Sequence, residues 1–182
     1  ANAGLRPFVC GPACFYSLRS AEQIKVDVAY SQMNVKVIGV SGGVSYGALG
    51  TSHHATQDIA LMRAIPGLEV YLPADGAQMR AMLKYLVASD KPAYVRMGRG
   101  AVPQVYQEEA EFVPGKANWL RQGKDAALIG CGEMVYHCLQ AAEQLAANGI
   151  EVSVLDMHTL SPLDEESILQ AALTGLVVTA EE

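Results

Sequence analysis

The chain has 182 residues, 51% hydrophobic and 18% charged, with a formal net charge of −6. That length suits one large or two small domains with a real core. The acidic balance argues against general nucleic-acid binding, and no apolar run reaches the roughly 18 residues that would span a membrane. The apolar excess suits a buried parallel sheet or an oligomer interface. Cys10, Cys14, Cys131 and Cys138 form no CxxC pair, and no stretch reads as a secretory signal. Free thiols and a cytoplasmic setting are expected. The chain opens at Ala1 without a methionine and ends in an apolar run, Gly175 to Ala180, before Glu181 and Glu182. It reads as a fragment or as one piece of a split protein.

Arg6 to Cys10 predicts a brief strand, and Gly11-Pro12 a turn. Ala13 to Tyr30 predicts a helix with a mixed apolar face, and Val35 to Val40 a buried strand. That strand runs into a loop, Gly39 to His54, which carries Gly42, Gly43, Gly47, Gly50 and the adjacent His53 and His54. A helix over Thr56 to Ala64 follows. Open α/β sheets place their sites where a strand empties into such a loop, so this loop is the candidate site. Asp58 and Arg63 read as helix-surface or interface charges. Leu68 to Leu72 predicts a strand closed by Pro73. Asp75 is the expected N-cap of a helix over Gly76 to Ala88. Ala93 to Arg96 predicts a strand ending in Gly98-Arg99-Gly100. Arg96 reads as structural. Arg99 is isolated in a glycine-rich strand end, where a guanidinium can grip a phosphate bidentately.

From Ala101 to Gly123 periodicity is lost, Pro103 and Pro114 appear, and Glu108, Glu109 and Glu111 cluster as a solvated surface. This stretch reads as a linker. Then come a strand over Ala126 to Ile129, a helix over Met134 to Ala147 and a strand over Ile150 to Leu155. A helix opened by Ser161-Pro162-Leu163-Asp164 runs to about Leu173, and a strand covers Gly175 to Ala180. This βαβαβ order predicts a parallel sheet. The turn Gly130-Cys131-Gly132 lacks the third glycine of a dinucleotide fingerprint. His137 and His158 read as structural.

Several of these stretches, in order, resemble the transketolase family. Ser41 to Leu61, then Ile65-Pro66-Gly67-Leu68-Glu69-Val70 and Pro73-Ala74-Asp75, is similar to the family's pyrimidine-binding domain, closed by Gly98-Arg99. Gly123-Lys124-Asp125 through Ile150-Glu151-Val152, Ser161 to Glu165, and Val177 to Glu182 are similar to its C-terminal domain. The match covers essentially the whole chain and most resembles the C-terminal half of a bacterial split transketolase. It implies an α/β fold of two consecutive parallel-sheet domains, both truncated: residues 1–103, a linker over 104–122, and residues 123–182.

The resemblance implies thiamine diphosphate bound between two chains, with the diphosphate and Mg2+ held mainly by an N-terminal partner half. The oligomer is homo- or heteromeric. The implied reaction transfers a two-carbon ketol unit between sugar phosphates. Residue by residue, Phe15 matches an aromatic that packs on the aminopyrimidine, while Pro12 stands where a second one would be. His53 matches a catalytic histidine at the reacting end of the cofactor, and Arg99 an arginine that binds the sugar phosphate. Ser41 stands where many members have a phosphate-contacting histidine. Leu49 stands where transketolases have an aspartate that reads a substrate hydroxyl; Tyr46 and His54 are candidates for that role, so Ser41, His54 and Arg99 form the expected substrate set. The family's catalytic glutamate falls upstream of Ala1. A 1-deoxy-D-xylulose-5-phosphate synthase-like enzyme and a non-catalytic interaction homologue are the alternatives. The β subunits of 2-oxo-acid dehydrogenases fit less well.

Overall fold

The computed structural model describes residues 1–107 and 110–182. Glu108 and Glu109 of the acidic cluster lie outside the described residues. The chain divides into two compact units: residues 1–71, 82–101 and 182, and residues 72–81 and 102–181.

The first unit is built on parallel strands in the order β1-β2-β4-β3, namely β1 (Phe8–Pro12), β2 (Lys36–Val40), β4 (Ala93–Met97) and β3 (Glu69–Tyr71). The inner strands are buried nearly throughout, as their apolar runs predict, whereas β1 leaves Phe8 and Val9 exposed. Gly11 and Pro12, expected as a turn, instead pair with Gly39 and Val40 at the end of β1. Proline lacks an N–H, but an edge strand tolerates it. Gly39 likewise belongs to β2 rather than to the loop. A Cβ there would lie 2.3 Å from Tyr94 Oη, so the strand needs glycine to let the tyrosine cross.

The helix expected over Ala13 to Tyr30 forms, but two wide stretches interrupt it. Helix α1 consists of a π-helical turn, Phe15–Arg19, an α turn, Ala21–Gln23, and a second π-helical stretch, Ile24–Tyr30. Ser20 N–H reaches Phe15 O at 3.3 Å, five residues back. Helix α2 is shorter than expected, at Asp58–Arg63, and α3 spans Gly76–Ala88. Asp75 caps α3, its Oδ1 accepting from Gln78 N at 2.8 Å.

In the second unit the sheet order is β5-β7-β6-β9, from β5 (Asn118–Arg121), β7 (Val152–Asp156), β6 (Ala126–Gly130) and β9 (Val177–Ala180). The βαβαβ part is parallel, as expected. Strand β5 is an addition. It pairs antiparallel with β7 and occupies the end of the stretch expected to be linker. Alternate residues of β6 and β7 feed two separate cores. Ala126, Val152 and Val154 pack with Cys138 and Ala142 of α4 (Met134–Ala146). Ala127, Ile129 and Leu155 pack with Ala171 of α5 (Glu165–Ala172) and with Trp119. Asp164 caps α5 through Ser167 N, and its Oδ2 also accepts from Ala117 N at 2.8 Å. A short strand β8, Thr159–Ser161, was not expected.

Candidate active site

At the C-terminal end of β2 the backbone turns sharply. Ser41 takes a left-handed φ of 64°, a conformation costly for a residue with a side chain. Its N–H bonds Met97 O at 2.9 Å, and its side chain is buried. Gly42 follows because Arg96 crosses directly over it: a Cβ would lie 1.6 Å from the guanidinium Nε. Gly43 and Ala55 then exchange two backbone hydrogen bonds, of 3.1 and 2.8 Å. These close residues 44–54 into a compact loop.

The loop's polar side chains are largely committed to its own backbone. Ser45 Oγ donates to Gly42 O at 2.8 Å, and His54 Nε2 contacts Gly47 O at 3.0 Å. Ser52 Oγ donates to Leu49 O at 3.2 Å and lies 2.9 Å from His53 Nδ1. The serine has one hydroxyl proton. Once that proton goes to Leu49 O, Oγ accepts from His53 Nδ1–H. In the neutral form of the ring, that arrangement leaves the lone pair on Nε2.

His53 is half-buried between two aromatic rings. Phe15 lies at 5.4 Å between centroids, and Tyr46 at 5.2 Å, edge to face. The Arg99 guanidinium stands 4.7 Å above the Tyr46 ring, and that of Arg19 stands 4.1 Å above Phe15. Five side chains therefore form a row: Arg19, Phe15, His53, Tyr46 and Arg99. Ala13, Cys14 and Ala55 form the apolar floor against which Phe15 packs. Burial raises the Cys14 thiol above its ordinary range.

Three of the residues singled out from the sequence, Phe15, His53 and Arg99, thus belong to one contiguous group. Ser41 and His54 sit at the two ends of the loop, the former buried and the latter bracing it. Leu49 is 53% exposed. Arg19 and the bridging position of Tyr46 were missed, because cation–π contacts leave no mark in residue spacing. Asp58, expected as a helix-surface or interface charge, is buried within the unit at 1% exposure. Its Oδ2 accepts from Tyr94 Oη at 2.7 Å and lies 3.6 Å from Arg96 Nε. Burial, then the Asp58 charge, pushes the Tyr94 phenol well above its usual range. This buried triad fixes the start of α2 behind the loop. Arg96, read as structural from the sequence, is itself buried in this triad.

The second unit holds its own polar network. Asp156, fully buried, accepts at Oδ2 from Tyr106 Oη and Gln78 Nε2, both at 2.5 Å. Asp75 Oδ2 accepts from Val105 N and Tyr106 N, each at 2.8 Å. Burial raises the Asp156 carboxyl to about 7 despite those hydrogen bonds. His158, also fully buried, is lowered by burial to about 4, consistent with its structural reading. Among the described residues no helix is long and apolar enough to cross a membrane.

Parallel strands ending in a closed loop, with an aromatic and cationic row beside it, define an α/β protein with a candidate site at a strand end. Family models for the transketolase pyrimidine binding domain and the transketolase C-terminal domain match residues 1–104 and 115–182. The chain belongs to the transketolase family. It is 54% identical, over its whole length, to a subunit of the apulose-4-phosphate transketolase of Phocaeicola vulgatus, and it covers 59% of that subunit. It is 42% identical over its whole length to the 6-deoxy-6-sulfo-D-fructose transketolase subunit SqwH of a Clostridium species, covering 56% of it. A solved split gene transketolase, described as an inactive beta4 tetramer, superposes with a TM-score of 0.90 at 40% identity; the match covers all of this chain and 59% of that one. The chain thus spans a little over half the length of these relatives.

Proposed function

We propose that this chain is the C-terminal half of a thiamine diphosphate-dependent transketolase, moving a two-carbon ketol unit between sugar phosphates together with an N-terminal partner half. The row from Phe15 through His53 and Tyr46 to Arg99 carries this reading. It offers an aromatic surface, an imidazole and a cation in sequence. The relatives named as transketolase subunits support it. The family generally uses thiamine diphosphate.

The residues present fit that cofactor's aminopyrimidine. The half-buried Phe15 ring offers an aromatic wall, and Ala13, Cys14 and Ala55 an apolar floor. Phe15 would hold the heterocycle by stacking. When bound, the cofactor supplies the electron sink for carbon–carbon cleavage. The diphosphate and Mg2+ fall to the partner half in this reading. His53 Nε2, made available by the Ser52 hydrogen bond, takes a proton from a substrate hydroxyl as the bond breaks. Arg99 makes no ion pair among the described residues and grips the substrate phosphate. Ser41 shapes the site through its left-handed turn at the end of β2, and His54 braces the loop beside the substrate through Gly47 O. Relatives named 1-deoxy-D-xylulose-5-phosphate synthase are less similar, so that alternative has weaker support. By likeness to the beta4 tetramer, the isolated chain is expected to self-associate without turnover.

The test is ketol transfer by the reconstituted pair, with thiamine diphosphate and Mg2+, across a panel of ketose phosphates. His53→Ala should lower kcat by about 10²- to 10⁴-fold, the range for a lost proton-transfer group. Arg99→Ala should raise KM for phosphorylated sugars by about 10- to 100-fold, as expected for lost hydrogen bonds to a charged group. Equal effects on phosphorylated and free sugars would remove the phosphate role. Absence of ketol transfer with every ketose phosphate would sink the reading.

A further inference from the structure

We propose that Tyr46 determines substrate specificity: its ring props Arg99, and its hydroxyl reads the sugar hydroxyl next to the reacting carbon. This rests on the transketolase reading above. Tyr46 is the one residue in the row that touches both His53, at 5.2 Å, and Arg99, at 4.7 Å. A ligand whose reacting carbon lies at His53 and whose anionic end lies at Arg99 must pass along the Tyr46 ring. The middle of such a ligand is a polyol chain.

Most hydrogen-bonding side chains of the loop are already engaged. In the closed loop, Ser45 Oγ is committed to Gly42 O, His54 Nε2 to Gly47 O, and Ser52 Oγ to Leu49 O and His53. Val44 and Leu49 expose apolar side chains, which bond nothing. Tyr46 Oη has no hydrogen-bond partner among the described residues. It is thus the uncommitted polar group that lies beside both the histidine and the arginine. A phenol donates as well as accepts, whereas a carboxylate only accepts. Tyr46 can therefore take a hydroxyl in either sense. Since the ring abuts His53, the hydroxyl it reads is the one adjoining the carbon that reacts.

Ring and hydroxyl are separable by mutation. Tyr46→Phe keeps both ring contacts and removes the hydroxyl alone; Tyr46→Leu removes both. The experiment uses the reconstituted pair with thiamine diphosphate and Mg2+. It measures calorimetric binding and acceptor kinetics for ribose 5-phosphate and 2-deoxyribose 5-phosphate. The wild type should prefer the hydroxylated sugar by about tenfold, the worth of one hydrogen bond. Tyr46→Phe should weaken ribose 5-phosphate by that factor, leave the deoxy sugar unchanged and abolish the preference. Tyr46→Leu should also weaken the deoxy sugar, because Arg99 loses its platform. A Tyr46→Phe enzyme that keeps the wild-type preference, or weakens both sugars equally, overturns the proposal. A wild-type pair that binds these sugars with the expected preference but turns over no ketose phosphate overturns the transketolase reading and leaves the Tyr46 assignment standing.

Discussion

Replacing Asp156 by asparagine should change how the stability of the second unit depends on pH. The wild-type carboxyl, buried and beside the Asp75 charge, keeps its proton up to about pH 7, against an ordinary 3.8. Between those values the folded state holds a proton that the unfolded chain has released. Stability therefore falls as pH rises, by about 1.4 kcal/mol per pH unit and about 4 kcal/mol across the window. His158 acts in the opposite sense. Its ring is lowered from 6.5 to about 4, so there the unfolded chain binds the extra proton and stability rises with pH. The two slopes nearly cancel from about pH 4 to 6.5, and Asp156 alone drives a decline toward pH 7. Asparagine keeps the shape and an acceptor for Tyr106 and Gln78 but cannot ionise. The assay is urea unfolding from pH 4 to 8.5, followed by Trp119, the single tryptophan, which lies in β5 of the same unit. The stability of the variant minus that of wild type should climb from pH 4 to 7 and then level off. A difference that stays flat across that range would mean that Asp156 ionises like an exposed carboxylate, and the reasoning fails.

Two further perturbations test the first unit. Lys36 is buried in β2, and its Nζ donates to Ser89 O at 2.9 Å, to Lys91 O at 2.7 Å and to Asn34 Oδ1. Lys36→Met should lower stability by about 2 kcal/mol or more, since it leaves those acceptors unmet; a thermal melt within a degree of wild type would contradict this. Gly39→Ala should cost about 1–3 kcal/mol through overpacking against Tyr94. Adding Tyr94→Phe should relieve part of that cost, a coupling that a double-mutant cycle measures directly.

The strands were the most legible part of the fold. Val35 to Val40, Leu68 to Leu72 and Ala126 to Ile129 are, Lys36 and Glu69 apart, apolar runs of the length a buried parallel strand requires, and each matches its strand to within a residue at either end. Strand β5 was not legible, because Asn118 and Arg121 break any apolar pattern and its pairing with β7 is set by residues more than 30 positions away. The widened turns of α1 were equally invisible, since no residue type specifies a bond to the fifth residue back. At the candidate site, the resemblance supplied Phe15, His53 and Arg99, and the structure put them in contact through Tyr46. Asp58 was misread for a simple reason. A carboxylate at a helix start looks solvated until one knows that Tyr94 and Arg96 reach it from β4.

The wide turn at Phe15–Arg19 ties the length of this segment to the identity of the ring that meets His53. In a regular helix each residue rotates the side-chain direction by about 100°. Removing one residue from the turn would let it close as an ordinary α turn and would swing Phe15 away, unless the preceding strand slid instead. The five-residue register between β1 and β2 resists that slide at one end. Buried Ile24 and Ala29 hold the other. A homologue one residue shorter here must therefore present a different side chain to His53. Aligning the two sequences by identity alone would pair rings that do not occupy the same place.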